Sequence, residues 1–216
     1  MNSKFFAKAL CLSLACYAAQ VQAYSLFGFR WKRGLVNIVV DVPGYNSEAH
    51  EAISAWNETL IGTGVRLVPR PPTRRFLRGA HRAGDSVNSM YFGPTPFYAD
   101  AVIRQRGQWA TEVDIRVNKD RFQGLPRDRV LIIFKHELGH LLGLNHFDGP
   151  ADAVMHSRLP SRIPGIMPDD REGIDALYRG PAFNSDILMD LYDEDAGTER
   201  FGSDLDRVSV HKCTLD

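Results

Sequence analysis

The segment His136-Glu137-Leu138-Gly139-His140-Leu141-Leu142-Gly143-Leu144-Asn145-His146 constrains this chain more than any other part of it. It has the form H-E-x-x-H-x-x-G-x-x-H. On a helix, residues four apart share a face, so His136 and His140 can present two imidazoles to one metal ion. Glu137 projects from the adjacent position, near enough to reach a water on that ion without ligating it. Gly143 can take the left-handed conformation that ends a helix and turns the chain back, which would bring in His146 as third ligand. Three protein nitrogens leave the fourth position of a tetrahedral zinc open, which separates a catalytic site from a closed structural one. The preceding run Val130-Leu131-Ile132-Ile133-Phe134 is apolar nearly all round, as in a helix buried through a domain. Histidines and a glutamate on such a helix are costly unless paired or metal-bound, which argues against an ordinary amphipathic helix with surface histidines.

The 216 residues suffice for one domain with its own core. Lys plus Arg and Asp plus Glu each total 26, so net charge favours neither nucleic acid nor a membrane surface. The expected partner is a protein or peptide substrate, with no nucleic acid, no stable membrane insertion and a monomeric state. Residues 1–23 read as a signal peptide: Lys4 and Lys8 lead into the apolar run Ala9 to Cys16, and Val21-Gln22-Ala23 is a small-residue cleavage pattern. The apolar stretch is short for a membrane span, so a secreted or periplasmic location follows. Cleavage after Ala23 would remove Cys11 and Cys16 and leave Cys213 alone, excluding an intrachain disulfide. Cys213 is then either an unpaired tail cysteine or a thiolate able to reach the open metal position.

Strands and helices alternate from Tyr24 onward. Strands are predicted at Leu35–Val40, at Val65–Val68 (stopped by Pro69, Pro71 and Pro72), around Val87–Phe92, around Ala101–Arg104 and around Glu112–Val117. Ser47 can cap a helix that buries Ala49, Ala52, Ile53, Trp56 and Leu60. The motif helix should run from about Asp128 to Leu142. A last helix should begin at Asp169, with Glu172 completing a capping box, and bury Ile174, Leu177 and Tyr178.

The motif, the strand order before it, Ala153-Val154-Met155, and the run Asp169 to Tyr178 together resemble the matrixin branch of the metzincin zinc proteases, over about Leu35 to Gly180. The resemblance implies an α+β, metzincin-like fold. It would have a twisted five-stranded mixed sheet, two long helices with the zinc helix across the cleft floor, and a small C-terminal subdomain with a third helix. It implies residues 24–180 as the catalytic domain, followed by an acidic C-terminal extension, 181–216. It further implies His136, His140 and His146 as ligands of one catalytic Zn2+, and Glu137 as the catalytic general base. The activity would be that of a secreted zinc-dependent endopeptidase, hydrolysing peptide bonds through a zinc-bound water activated by Glu137. Met155 would lie in the turn beneath the metal in a packing role, with Met189 as a rival. By the same resemblance, the strand Ala101 to Arg104 would be the exposed sheet edge that binds substrate, and Leu159 to Ile166 would wall the leaving-group pocket.

Departures from the animal enzymes point to a minimal, bacterial type of matrixin. No N-terminal pro-segment is expected after the signal. The region Arg82 to Trp109 contains no histidine, so a second, structural zinc is not expected, and no residue pattern calls for Ca2+. Phe147 follows the third histidine where serine is usual, and Ser157 stands where some branches place a tyrosine. His50, His81 and His211 read as surface histidines, and His156 as structural. Arg66, Arg70, Arg74, Arg75, Arg78 and Arg82 form an acid-free segment, either a solvated loop or a docking patch for an anionic partner. The tail after Pro181 is acidic and could be disordered, pack as an extra element, or lie against the arginine loop. The competing function class is a zinc-binding protein that has lost proteolysis. The intact Glu137, which a mere binder does not need, favours the enzyme.

Overall fold

The computed structural model describes residues 24–74, 84–149, 152–158, 160, 165–180 and the backbone of 207–212. The signal segment, His81, Met189 and Cys213 lie outside the described residues, as does most of Leu159 to Ile166. In chain order the elements are β1 (Ser25–Leu26), β2 (Gly34–Asp41), α1 (Asn46–Thr59), β3 (Val65–Arg70) and β4 (Asn88–Phe92). Next come β5 (Ala99–Arg106), β6 (Trp109–Val117), α2 (Lys119–Phe122), α3 (Arg127–Leu141), β7 (Leu144–Asn145), α4 (Pro168–Tyr178) and β8 (Arg207–Lys212).

Alternation along β2 turns Val36, Ile38 and Val40 to the core. β2 pairs in parallel with β3 and β4, and β4 in parallel with β6. β5 is antiparallel to β6 because the two are joined by a tight hairpin at Gly107, where φ is +56°. These five strands make the mixed sheet expected from the sequence. β8 then adds antiparallel to the far side of β5, giving the order β3-β2-β4-β6-β5-β8. The predicted open edge at Ala101 to Arg104 is therefore covered: Ala101 pairs with His211, Val102 with Val210, Ile103 with Ser209 and Arg104 with Val208.

The helix α1 buries Ala49, Ala52, Ile53 and Trp56, and Leu60 is buried just past its end, as their spacing predicts. It packs along α3, and α3 in turn packs against β5 and β6. Trp56 ties the two helices: it is fully buried, and its indole Nε1 donates to the Lys135 carbonyl at 2.8 Å. A separate two-stranded ribbon, β1 with β7, anchors Ser25 and Leu26 beside the end of the motif helix.

Three local expectations differ. The helix α1 begins at Asn46, and Ser47 lies inside it, bonded to Glu48. Tyr45 holds the cap position without a side-chain cap bond, and the Asn46 Oδ1 closes the preceding turn by accepting from Val42 N–H at 3.0 Å. β3 continues through Pro69 to Arg70, since it is an edge strand where a missing N–H leaves no ladder bond unmade. The helix α4 starts at Pro168, and its reciprocal carboxylate is Asp170, which accepts from Met167 N–H at 2.9 Å; Glu172 takes no such part.

Replacing Trp56 with alanine should remove the tie between α1 and α3 and open a cavity. The expected loss is about 3–5 kcal/mol of stability, read from urea unfolding followed by circular dichroism. A loss under about 1 kcal/mol would mean that the helices do not depend on it.

Candidate metal centre

The motif helix α3 ends by necessity rather than by a side-chain cap. Gly143 has φ +103°, and a Cβ there would meet the Phe29 carbonyl at 2.5 Å, so both its backbone angle and its close packing favour glycine. The carbonyls left over at this buried helix end are answered from elsewhere in the fold. Trp31 Nε1 donates to Leu141 O at 2.8 Å, and the Tyr178 hydroxyl donates to Leu142 O at 2.7 Å. Burial pushes the Tyr178 phenol well up, keeping it a donor.

After Gly143 the chain reverses through β7, and His146 faces the two helix histidines. Its Nε2 lies 3.0 Å from Nε2 of His136 and 3.1 Å from Nε2 of His140. His136 and His140 are fully buried and His146 partly so. Each helix imidazole is oriented through its other nitrogen: His136 Nδ1 contacts Val154 O at 2.7 Å and His140 Nδ1 contacts Leu144 O at 2.9 Å. A carbonyl can only accept, so both rings carry their proton on Nδ1 and turn an Nε2 lone pair toward His146. Burial first, then the neighbouring His146, holds His136 down to about 3, and burial lowers His146 as well. These shifts favour the neutral ring, the form that binds metal, at His136 and His146. A single proton on His146 Nε2 could serve only one of the two contacts, whereas a cation serves all three nitrogens. A tetrahedral zinc with Zn–N near 2.0–2.1 Å wants its nitrogens about 3.3 Å apart, so small outward shifts suffice. Among the described residues this is the group of metal-ligating side chains that could hold an ion.

Glu137, on the same helix, is fully buried beside this cluster. Met155 lies beneath it: a Cβ on Gly139 would collide with the Met155 sulfur and stand 3.1 Å from the Trp56 ring. Gly139 thus lets the methionine and the tryptophan close on the helix between the two histidines. Phe27 packs its ring on His140, with centroids 5.3 Å apart. His50 is exposed on α1, away from the cluster in sequence and environment, and His156 bonds the Arg158 carbonyl within its own loop.

The residue that sequence reasoning undervalued is Asp170. It is buried at 2% exposure, and its carboxylate accepts from Val154 N–H and Met155 N–H, both at 3.0 Å, and from Met167 N–H. Burial raises its pKa, while these three donors pull it back down. Asp170 therefore pins the very turn whose Val154 carbonyl orients His136, and the Met155 carbonyl accepts from Phe147 N–H at 3.0 Å next to His146. The second of two adjacent aspartates before an apolar helix is a faint sequence signal, legible only once the turn is seen to fold onto it.

Asp170→Ala should strand three buried N–H groups and loosen the His136 ring. Zinc affinity, measured by chelator competition, should fall about 10–100-fold, as for other groups that orient a metal-ligating histidine. An affinity unchanged within a factor of two would refute this role.

Comparison with known proteins places the geometry. Residues 80–179 match the family model described as Matrixin, a span that holds β4 to β7, the three histidines, Met155, Asp170 and α4. A search of curated proteins finds no match. Among solved structures, the crystal structure of myroilysin is similar at a TM-score of 0.38 and 12% identity, covering 70% of this chain and 86% of that one. The family match spans the complete histidine set, an arrangement that fits zinc, and supports a matrixin-like metalloprotease.

Proposed function

We propose that the chain is a zinc-dependent endopeptidase that acts outside the cytoplasm, with His136, His140 and His146 holding one zinc ion and Glu137 as general base. The observation that carries this reading is the convergence of three imidazole Nε2 atoms beside a buried glutamate of the motif helix. When bound, zinc supplies a Lewis acid for the scissile carbonyl and lowers the pKa of a coordinated water toward neutrality. The imidazoles hold the ion, and the carbonyls of Val154 and Leu144 keep them aimed. Glu137 accepts the proton of the attacking water and passes it to the leaving amine, so the same carboxylate serves as base and then as acid. Its burial keeps bulk water from competing for that proton.

In this reading residues 24–180 form the catalytic domain, 1–23 an export signal and 181–216 an extension. No described helix is long and apolar enough to cross a membrane. A substrate would lie extended along β5 as an added antiparallel strand, in the place that β8 holds in this structure, using backbone hydrogen bonds for affinity and pockets for alternate side chains. The monomer is sufficient for this chemistry, because every proposed group comes from one chain.

Glu137→Ala should keep fold and zinc and lose roughly two to four powers of ten in turnover, the usual worth of general acid–base catalysis. His140→Ala should lose zinc and activity together. Turnover on a peptide library, zinc content and thermal unfolding of both variants beside wild type separate the roles. Near wild-type cleavage by Glu137→Ala would sink the mechanism.

A further inference from the structure

The strand β5 borders one side of the five strands formed by residues 34–117, and the motif helix packs against it. On the reading above, its outward N–H and C=O groups are what an extended peptide substrate would use. They are already engaged. The strand β8 pairs antiparallel with β5 in an unbroken run from Asp100 opposite Lys212 to Gln105 opposite Arg207. A peptide adding in the same direction needs the same backbone groups, so the two are mutually exclusive.

We propose that residues 207–212 are a built-in occupant of the substrate-strand position, so that the C-terminal extension must leave β5 before a protein substrate is cleaved. This rests on the protease reading above. Three observations support it. The five strands β2 to β6 are paired with one another without β8. At about 3.4 Å per extended residue, residues 179–206 are long enough to reach either sheet edge, so reach does not dictate the choice. The opposite edge, β3, carries Pro69, which lacks an N–H, whereas β5 has no proline. A strand tethered in the same chain competes at an effective concentration on the order of millimolar, enough to exclude substrates present at micromolar levels.

The test uses the full chain with Val208→Pro and Ser209→Pro together. In an antiparallel ladder alternate residues point their N–H at the partner, so one of two adjacent prolines must remove a bond to β5 whatever the register. The probe is a substrate-length peptide whose scissile amide is reduced to CH2–NH, with binding followed by fluorescence anisotropy. Hydrolysis of the parent peptide and zinc content are measured in parallel. The double variant should bind the probe at least about tenfold more tightly, as expected if the tail occupies the edge nine-tenths of the time or more. KM for the parent peptide should fall with kcat little changed. A synthetic peptide of residues 207–212 added in trans should restore competition. Equal probe affinity in both zinc-loaded proteins, or no competition by the synthetic peptide, would overturn the proposal. Tighter probe binding without hydrolysis by either protein would uphold the occupied edge and instead remove the protease reading.

Discussion

Two backbone carbonyls, those of Leu144 and Val154, decide how the metal centre is built. Each takes the Nδ1 proton of a buried helix histidine, and by doing so turns the opposite nitrogen of that ring toward His146. Neither carbonyl is free to wander. Leu144 sits in the β1–β7 ribbon, immediately after the glycine turn, and Val154 is held by the Asp170 carboxylate. The helix supplies the spacing, but the orientation of the rings is set by chain segments on either side of it. This explains why so much of the small C-terminal part is devoted to one turn: Asp170, Met155 and Phe147 all bond within it or against it.

Packing beneath the helix obeys the same demand. A helix that carries polar ligands on one side must still be buried on the others; Trp56, Met155, Trp31 and Tyr178 do this, and the three aromatic residues also donate to carbonyls of the helix or its end. Aromatic residues with a polar tip suit the task, since they add apolar area and a donor at once. The two small residues in the motif, Gly139 and Gly143, are then spaces rather than spacers: one admits a sulfur and an indole, the other a neighbouring backbone.

What the sequence made legible was local. Helical spacing exposed the histidines and glutamate, and the burial of Ala49, Ala52, Ile53 and Trp56 on α1 followed from the same periodicity. The five-stranded sheet could be read because its strands are short, β-branched and set off by glycine and proline. What escaped depended on contacts far apart in the chain. Asp170 looked like one more acid at a helix start until three distant amides were brought to it. Ser47 reads as a helix cap, yet the helix begins one residue earlier, where the Asn46 side chain reaches back to Val42 N–H. Pro69 would end a central strand but not an edge one, and whether a strand lies at the edge is not written in its own residues. The strand β8 did carry a signal, the alternation of Val208 and Val210 in Arg207-Val208-Ser209-Val210-His211-Lys212. It was masked by the acidity of the surrounding tail.

The sheet's two borders are protected by different means, and the difference has a physical cost. Along β3 the chain is blunted permanently by Pro69 and the following Pro71 and Pro72. Along β5 the protection is a strand from the same chain, paired along its backbone from Asp100 to Gln105. A long, regular border of unpaired amides and carbonyls invites pairing with any other extended chain, including a second molecule of the same protein. Detaching the tail therefore creates a self-association hazard in the same instant that it opens a binding groove. Solubility at high concentration would track tail attachment, with crowded or stored preparations of the detached form the first to form intermolecular sheet.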